Sequence, residues 1–521
     1  MALSASGDET RDRRTRNRVW MLALAAAVLA ALPVIAARHL PLLDAPAHEA
    51  RLAVLRDLLV TGRGSAFYDL STFFLPNIAF DLIGLKLVGL TDPETAGRIF
   101  FGLTLALTLW GVLALNRVAI GRWSAAPLAA SLLLYNLISI LGFFSYAFGL
   151  ALVPWALAAR LKLERAALLF RFLAGAILAL ILLFCHVFDF GIYALMTGGF
   201  MLAALIDRRI GLVQAGLWAF ESVPALALYL VMSGGAEGRV RYEPHFFMIK
   251  LFGIVKSVTS GSMTGDIAFV IGALLVLVLA FAYARTRLAW PFVPGLVLLG
   301  IAYFALPSKL ASGSYVDERM PIAVALLTLA GLDMRVRRST VSDALVAAIG
   351  LTLIVKQTAL MVLWRSFDPI IDSIEATLDR LPDGAVVMQA ECQPDSNDIK
   401  GVYRERQPSV THLPALAAFD DTRFIPSIWA IAGQHSIRVK PAYRPWYDLF
   451  WSFPASICSA AGYRSALRQT EGLADQQAAA GRAVPPLYFL LLRPPEPGTL
   501  APEATPVATG TDYELYAMPR P

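Results

Sequence analysis

The sequence predicts a polytopic α-helical membrane protein with about eleven transmembrane helices, followed by a C-terminal extracytoplasmic α/β domain. Three observations support this prediction. Of the 521 residues, 57% are hydrophobic and 16% are charged. Apolar runs close to the length of a bilayer-spanning helix recur between residues 19 and 364. From residue 366 to residue 521 the composition changes to that of a soluble domain.

The N-terminal residues 1–18 are polar and rich in arginine, and we expect them to be cytoplasmic. Residues 19–37 form the first predicted span. The core of a cleaved signal peptide is the alternative, because the preceding region is basic and the apolar core is rich in alanine. Both interpretations place residue 38 outside the cytoplasm, at the start of an external loop over residues 38–98.

Residues 73–90 are apolar, but they include Pro76, Asn77, Asp81 and Lys86. If this stretch crossed the bilayer, the cationic loops at residues 160–165 and 207–209 would lie outside. We therefore expect an amphipathic helix along the outer surface. The other ten spans are then predicted at residues 99–115, 125–140, 144–159, 168–185, 190–205, 211–232, 267–284, 290–306, 320–332 and 342–364.

The distribution of cations supports this topology. The tight outer turns near Gly142 and Phe188 hold no lysine or arginine, which is the positive-inside pattern. The predicted cytoplasmic loops hold Arg117, Arg122, Arg160, Lys162, Arg165, Arg171, Arg208, Arg209, Arg285, Arg287, Arg335, Arg337 and Arg338. The predicted parts are therefore a cytoplasmic segment over residues 1–18, a membrane domain over 19–365 and a periplasmic domain over 366–521.

The formal net charge is +6, which would also suit a polyanion such as nucleic acid. The cations are spread through short loops, however, so their role in orienting the protein in the bilayer explains the charge better. The three cysteines, Cys185, Cys392 and Cys458, are too few and too dispersed for a metal cluster. Cys392 and Cys458 fall in the predicted periplasmic domain. Two alternatives remain for them there, a disulfide between the two or two buried free thiols.

Ionisable residues are unusually dense in the first external loop, where Asp44, His48, Glu49 and Arg51 lie close together. Pro46 favours an extended residue before it and is tolerated in the first turn of a helix that follows. Asp44 is then expected at the helix N-terminus, where a carboxylate is kept ionised, and His48 and Arg51 share one helix face. The two side chains either tune Asp44 or bind phosphate, or else each caps or pairs within the loop.

A second group of lysines and arginines lies in the longer outer loops, where the positive-inside pattern predicts few cations. They bind an anion such as a lipid phosphate, or they contact lipid headgroups. Arg319 and Lys309 are favoured for phosphate binding, since they lie at a span boundary beside Asp317 and Glu318. The outer cations are Arg239, Arg241, Lys250, Lys256, Lys309 and Arg319.

His186 and Asp189, near an outer span end, either line a cavity or form a satisfied pair at a helix end.

The C-terminal domain carries one helical pattern, at residues 369–381, and strand patterns at 385–390, 436–440, 487–492 and 513–518. An aromatic stretch at residues 443–451 suits a sugar ring or a membrane interface. The chain has no phosphate-cradling glycine loop, HExxH, paired CxxC or GxSxG. These absences argue against ATPase, metalloprotease and serine-hydrolase functions.

The segment Asp44-Ala-Pro46-Ala-His48-Glu-Ala-Arg51, a surface helix entered through Leu75-Pro76-Asn77, and about ten further spans together resemble the GT-C superfamily of membrane glycosyltransferases. Within it, the chain is similar to the bacterial branch related to protein mannosyltransferases and lipid A aminoarabinose transferases. The resemblance implies a multi-pass protein of the bacterial inner membrane that uses a polyprenyl-phosphate sugar donor.

The resemblance also implies residue roles. Asp44 is the expected catalytic base in an inverting displacement. Many members have a second adjacent acid, but Ala45 follows here, so Asp317 or Glu318 is the expected second acid. The departing lipid phosphate is expected to be stabilised by Arg319, Lys309, Arg241 or Arg51. A divalent metal is compatible with the site. The acceptor is a lipid, polysaccharide or protein, and not a nucleic acid.

Two alternatives to an enzyme remain. A transporter or flippase of lipid-linked sugars also has many spans, although an inverted repeat is not evident and the polar residues cluster at outer span ends. A non-catalytic scaffold that keeps the fold is compatible with the single acid in the loop.

Overall fold

The computed structural model describes residues 2–232, 240–242, 245–310, 313–336, 338–393, 410–494, 498, 500 and 503–519, with backbone alone for 2–11 and for Arg165. Arg239, Arg337 and parts of the predicted outer segments 234–266 and 307–319 lie outside the described residues. The α-helices are α1 (Ala2–Ala36), α2 (Ala45–Leu59), α3 (Ala79–Leu87), α4 (Pro93–Ile120), α5 (Leu137–Ile140), α6 (Phe144–Lys162), α7 (Leu168–Cys185), α8 (Val187–Ile206), α9 (Leu212–Phe220), α10 (Val223–Met232), α11 (Phe246–Lys256), α12 (Met263–Tyr283), α13 (Phe292–Ala305), α14 (Met320–Gly331), α15 (Ser339–Leu378), α16 (Arg444–Ser452) and α17 (Ala460–Ala479).

Ten short strands and three 3-10 helices complete the described secondary structure. The 3-10 helices are Ala126–Leu133, Leu163–Arg165 and Leu413–Ala418. The strands are β1 (Tyr68–Leu70), β2 (Ala284–Leu288), β3 (Lys309–Leu310), β4 (Gly313–Ser314), β5 (Leu332–Val336), β6 (Val386–Glu391), β7 (Ile437–Val439), β8 (Leu487–Leu492), β9 (Thr505–Thr509) and β10 (Tyr513–Ala517).

The prediction of a polytopic membrane protein is confirmed. Eight helical stretches of the described chain are long and apolar enough to cross a membrane, namely residues 12–36, α4, α6, α7, α8, residues 212–232, α12 and α15. Three shorter apolar stretches, residues 126–140, α13 and α14, coincide with the other predicted spans. Large apolar side chains of α12, such as Ile271 and Phe281, are exposed, as expected of a surface that faces lipid.

Two helices of this region, α8 and α13, approach each other closely at Gly199 and Gly295. A Cβ atom added to Gly199 would lie 2.2 Å from the Cα of Gly295, which is far inside van der Waals contact. Small residues at such a crossing let two helix backbones pack without intervening side chains. The pair therefore sets the distance between α8 and α13.

Contacts divide the chain into two units. The membrane unit comprises Met1–Ala36, Phe74–Ala79 and Phe100–Val362, and the α/β unit comprises Ala37–Phe73, Phe80–Ile99 and Leu363–Pro521. The sequence prediction assigned the whole 38–98 loop to the membrane domain, whereas these contacts group most of it with the C-terminal residues. One reason is that β1 pairs with β7 in antiparallel register, with Tyr68 opposite Val439.

A four-stranded sheet in the order β6-β8-β10-β9 forms the centre of the α/β unit. Strands β6 and β8 are parallel, while β10 pairs antiparallel with β8 and with β9. Every side chain of β6 is buried, as expected for a strand covered on both faces. The predicted α/β class is confirmed, and the strand patterns that predicted it coincide with β6, β7, β8 and β10.

Helix α15 continues where the sequence analysis expected two helices, at residues 342–364 and 369–381. Pro369 lies inside it and removes one backbone hydrogen bond of the helix. The buried positions Ile371, Ile374 and Leu378 continue one apolar face beyond the proline. Burial of that face offsets the lost bond, so the proline does not end the helix.

Candidate active site around Asp44

Asp44 immediately precedes α2, as the proline at the first turn predicts. Its side chain accepts no capping hydrogen bond from the helix backbone. The carboxylate is 13% exposed, and its Oδ1 lies 3.6 Å from Nε2 of His412. His412 precedes the 3-10 helix Leu413–Ala418, which packs against α2 in the α/β unit.

His412 is neutral, and its hydrogen bonding fixes the tautomer. Nδ1 lies 3.0 Å from the carbonyl oxygen of Ser427. A carbonyl only accepts, so Nδ1 carries the proton and Nε2 presents a lone pair. Burial lowers the pKa of His412 to about 4, although the bond to Ser427 opposes the shift. At neutral pH the contact with Asp44 is therefore not an ion pair, because the His412 ring carries no charge.

A buried ion pair lies about two helical turns further along α2. The Arg51 guanidinium donates through Nε and one terminal nitrogen to Asp81 of α3, at 3.0 and 2.7 Å from Oδ1. The hydroxyl of Ser436 donates to the other carboxylate oxygen of Asp81 at 2.5 Å. Both members of the pair are 2% exposed. The charge of Arg51 is thus compensated inside the α/β unit.

His48 is held by the same arginine. A terminal nitrogen of Arg51 donates to Nδ1 of His48 at 2.9 Å, so the neutral His48 ring carries its proton on Nε2. Burial, reinforced by the charge of Arg51, keeps the pKa of His48 well below its usual value. Arg51 and His48 thus hydrogen-bond to each other, and a role of the two in tuning Asp44 or binding phosphate stays a prediction.

His435 and Trp429 extend this region. Nδ1 of His435 accepts from the backbone N–H of Ile431 at 3.1 Å. Burial, and then the charge of Arg51, lowers the pKa of His435 well below its usual value. The Trp429 ring lies 5.1 Å from the His412 ring and 4.7 Å from that of Trp451. Three neutral histidines and the rings of Trp429 and Trp451 thus lie in the same region of the α/β unit as Asp44.

Glu49 is a further buried acid of α2, and it is 2% exposed. Burial, and then the neighbouring carboxylate of Glu94, raises the pKa of its carboxyl well above the usual value. Its Oε1 has no hydrogen-bond partner among the described residues. A Cβ added to Gly97 would lie 2.3 Å from that oxygen, so glycine is needed there to accommodate Glu49.

The predicted second acids lie in the membrane unit, and both pair with lysines of α11. Lys250 donates to Asp317 at 2.6 Å, and Lys256 donates to Glu318 at 3.1 Å. Burial raises the pKa of the Glu318 carboxyl, although the Lys256 charge opposes the shift. A catalytic role for either acid stays a prediction.

Arg319 lies at the start of α14, and the structure brings it together with His186. One terminal nitrogen of Arg319 lies 3.0 Å from Nε2 of His186. The guanidinium carbon lies 4.3 Å from the centre of the Phe143 ring, 5.2 Å from Tyr146 and 5.5 Å from Phe188. Aromatic faces attract a cation in this arrangement.

Asp189 follows His186 by one turn of α8 and is fully buried. Its two carboxylate oxygens have no hydrogen-bond partner among the described residues. A Cβ added to Gly149 of α6 would lie 1.9 Å from one of them, so α6 has a glycine where the acid packs. A cavity-lining role for Asp189 stays a prediction.

Two predicted phosphate-binding cations are neighbours. The backbone N–H of Arg241 donates to the carbonyl of Lys309 at 3.1 Å, and the N–H of Lys309 donates back at 3.3 Å. Both side chains are exposed. In the α/β unit, Cys392 and Cys458 are joined by a disulfide.

The sequence analysis missed His412, His435, Asp81 as the partner of Arg51, and Ser436. A signal for the histidines was present, because the chain has only six. Three of them, His48, His412 and His435, lie near Arg51 or Asp44 in the structure. No residue of this region belongs to a group of three His, Cys, Asp or Glu side chains spaced for a metal ion in the described part of the chain.

No family model matches the chain, and no curated protein matches it. Solved structures similar to it include ArnT from Cupriavidus metallidurans bound to undecaprenyl phosphate, with 13% identity and a TM-score of 0.48 over 96% of this chain and 98% of that one. The arabinofuranosyltransferase AftD from Mycobacteria is also similar, with 15% identity and a TM-score of 0.46 over 97% of this chain and 40% of that one.

Proposed function

We propose that the protein transfers a sugar from a polyprenyl-phosphate donor to an extracytoplasmic acceptor, with Asp44 as the base of an inverting displacement. The observation that carries this proposal is the 3.6 Å approach of Asp44 Oδ1 and the unprotonated Nε2 of His412. Nε2 of His412 presents its lone pair beside the carboxylate of Asp44, so one proton donor can contact both groups. An acceptor hydroxyl or amine supplies such a donor, and a base must lie within reach of that proton.

The reaction then proceeds by one displacement. The acceptor heteroatom attacks the anomeric carbon, its proton passes to Asp44, and the bond from that carbon to the lipid phosphate oxygen breaks with the electron pair remaining on phosphate. Phosphate is a good leaving group, so a strong general acid is not required. His412 positions the acceptor by accepting a hydrogen bond, and His48 offers an Nε2–H donor.

Cations of the membrane unit are proposed to stabilise the departing phosphate. Arg241 and Lys309 are suited because their exposed side chains start from paired backbone positions. Arg319, held against three aromatic rings, supplies a further positive charge. Arg51 is less suited, since Asp81 already compensates its charge, and we assign it the role of positioning His48. Asp317 and Glu318 hold Lys250 and Lys256 in place.

We further propose a bacterial inner-membrane location, with residues 1–18 cytoplasmic and residues 366–521 periplasmic. The positive-inside distribution of the loop cations supports this orientation. In it, the Asp44 loop and the C-terminal residues share the periplasmic side, where a lipid-linked donor meets its acceptor.

The test uses the purified full-length protein and a panel of radiolabelled polyprenyl-phosphate sugars. We expect saturable donor binding and sugar transfer that falls by about 10²- to 10⁴-fold in Asp44→Asn. The matched control is Asp69→Asn, which removes a half-exposed carboxylate of β1 in the same unit. Unchanged transfer in Asp44→Asn contradicts the assigned base. Movement of the intact donor across a bilayer without sugar loss contradicts the enzyme and supports a transporter.

A further inference from the structure

His39, Asp372 and Glu375 form a cluster of metal-ligating side chains in the α/β unit. One ligand atom from each lies within 4.8 Å of the others. His39 follows α1 in the chain and its ring is 4% exposed, while Asp372 and Glu375 lie in the C-terminal part of α15. Residues three apart on a helix share a face, so both carboxylates are presented to the same imidazole.

The backbone at His39 is fixed by the same stretch of α15. The carboxylate of Asp368 accepts from the backbone N–H of Arg38 at 3.1 Å and from that of His39 at 3.4 Å. Nε2 of His39 lies 2.8 Å from Oδ1 of Asp372. The other oxygen of Asp372 accepts from the half-exposed Arg38 side chain, which leaves Oδ1 directed at the imidazole.

The second ring nitrogen of His39, Nδ1, contacts another carboxylate. Nδ1 lies 2.7 Å from Oε1 of Glu94 at the start of α4. In metal sites, the histidine ligand commonly donates its second N–H to a carboxylate, which fixes the ring and raises its basicity as a ligand. Glu94 supplies that partner at Nδ1, while Nε2 donates to Asp372 in the metal-free chain, so a metal ion would replace the proton on Nε2.

The local charge favours a cation. Four carboxylates, those of Glu94, Asp368, Asp372 and Glu375, surround His39. The Arg38 guanidinium contacts Asp372, whereas Asp368 accepts from backbone N–H groups. A bound divalent ion would balance the excess of negative charge, and its site would hold one nitrogen and two oxygen ligands.

We propose that Nε2 of His39 and the carboxylates of Asp372 and Glu375 bind one Zn²⁺ ion, with Glu94 orienting the imidazole. Zinc bonds of about 2.0–2.2 Å in tetrahedral geometry place ligand atoms roughly 3.3–3.6 Å apart. The ligand atoms here lie within 4.8 Å of one another, and Nε2 of His39 lies 2.8 Å from Oδ1 of Asp372, so small side-chain rotations suffice. An imidazole ligand favours zinc over the oxygen-preferring Mg²⁺ and Ca²⁺.

The ion has a structural role in this proposal. It joins the segment after α1 to the end of α15, and the fourth position is filled by water. The site is separate from the set of residues assigned to catalysis, and it does not depend on the transferase proposal.

The test is Zn²⁺ binding to the full-length protein after chelator treatment, measured by calorimetry and by metal content. We expect one Zn²⁺ per chain, with binding lost in His39→Gln and in Asp372→Asn. Glu94→Gln should bind about 10- to 100-fold more weakly. Asp379→Asn is the matched control, because it removes an exposed carboxylate just beyond α15 that pairs with Arg423. Equal binding by wild type and His39→Gln, or the absence of stoichiometric binding, overturns the proposal.

A measurement on the wild type covers the case in which the variants do not fold. X-ray absorption of the zinc-loaded protein should show one imidazole nitrogen among oxygen ligands. A shell that contains sulfur, or one that contains only oxygen, overturns the assignment. The melting temperature of the wild type should rise on zinc addition, since the ion binds the folded chain, and a melting temperature unchanged by zinc contradicts the structural role.

Discussion

Nε2 of His412 and Oδ1 of Asp44 lie 3.6 Å apart, and Nε2 presents a lone pair because the imidazole proton is on Nδ1. Both residues are fixed in place. Asp44 immediately precedes α2, and the carbonyl of Ser427 fixes the tautomer of His412. A carboxylate and an imidazole lone pair that are fixed in this way are suited to contact one proton donor.

Breaking the Arg51–Asp81 pair should strongly destabilise the α/β unit. Asp81→Asn leaves the buried guanidinium without a counter-charge, and we expect a loss of about 3–5 kcal/mol in the free energy of unfolding. Arg438→Gln is the control, since its pair with Asp69 is exposed and 3.9 Å long, and it should cost at most about 1 kcal/mol. Denaturant unfolding of both variants measures the difference, and equal effects would contradict the account.

The contribution of His412 to the stability of the α/β unit should rise with pH between about 4 and 6.5, whereas the raised pKa of Glu49 acts in the opposite direction. The folded-state pKa of His412 is about 4, below its ordinary value, so the unfolded chain binds more protons throughout this window. Lowering the pH across it should therefore cost about 3 kcal/mol from His412 alone. His48 and His435 shift the profile in the same direction. Urea unfolding at a series of pH values tests this, with His412→Gln expected to flatten the slope.

A side chain at Gly199 should force α8 and α13 apart. Its Cβ would overlap Gly295, and overpacking of this kind costs about 1–3 kcal/mol or more. The neighbouring Gly198→Ala is the control, because nothing lies within 4 Å of a Cβ there. Thermal unfolding in detergent should show a lower melting temperature for Gly199→Ala and little change for Gly198→Ala. The reverse order would contradict the helix contact.

Removal of the two exposed outer cations should weaken donor use. The double variant Arg241→Gln, Lys309→Gln loses two charges proposed to bind the lipid phosphate, and we expect KM for the donor to rise about tenfold or more. The matched control is Arg287→Gln, an exposed cation of β2. If both variants raise KM equally, the cations act through the membrane surface and not through the phosphate.

Much of the fold could be predicted from the sequence, because long apolar runs and short β-rich runs are local signals. The continuous helix through Pro369 was not predicted, since burial of Ile371 and Ile374 outweighs a local rule about proline. Strand β1 was also missed, as three residues are too few for a periodic pattern and its partner β7 is distant in the chain.

The candidate site could be predicted only in part. Asp44, His48 and Arg51 lie within one helical stretch, so their spacing alone brings them together. His412 and His435 reach the same region through the tertiary fold of the α/β unit, which no local pattern encodes. The compensation of Arg51 by Asp81, likewise, became evident only once α3 was seen beside α2.

The most direct test of the central claim is sugar transfer by Asp44→Asn, His412→Gln and the double variant, measured with the same donor. The account predicts a large loss for Asp44→Asn and a smaller loss for His412→Gln. The double variant should be little worse than Asp44→Asn alone, because both residues act on one acceptor proton. Full transfer in Asp44→Asn, or losses that simply add, would contradict a shared role for this pair.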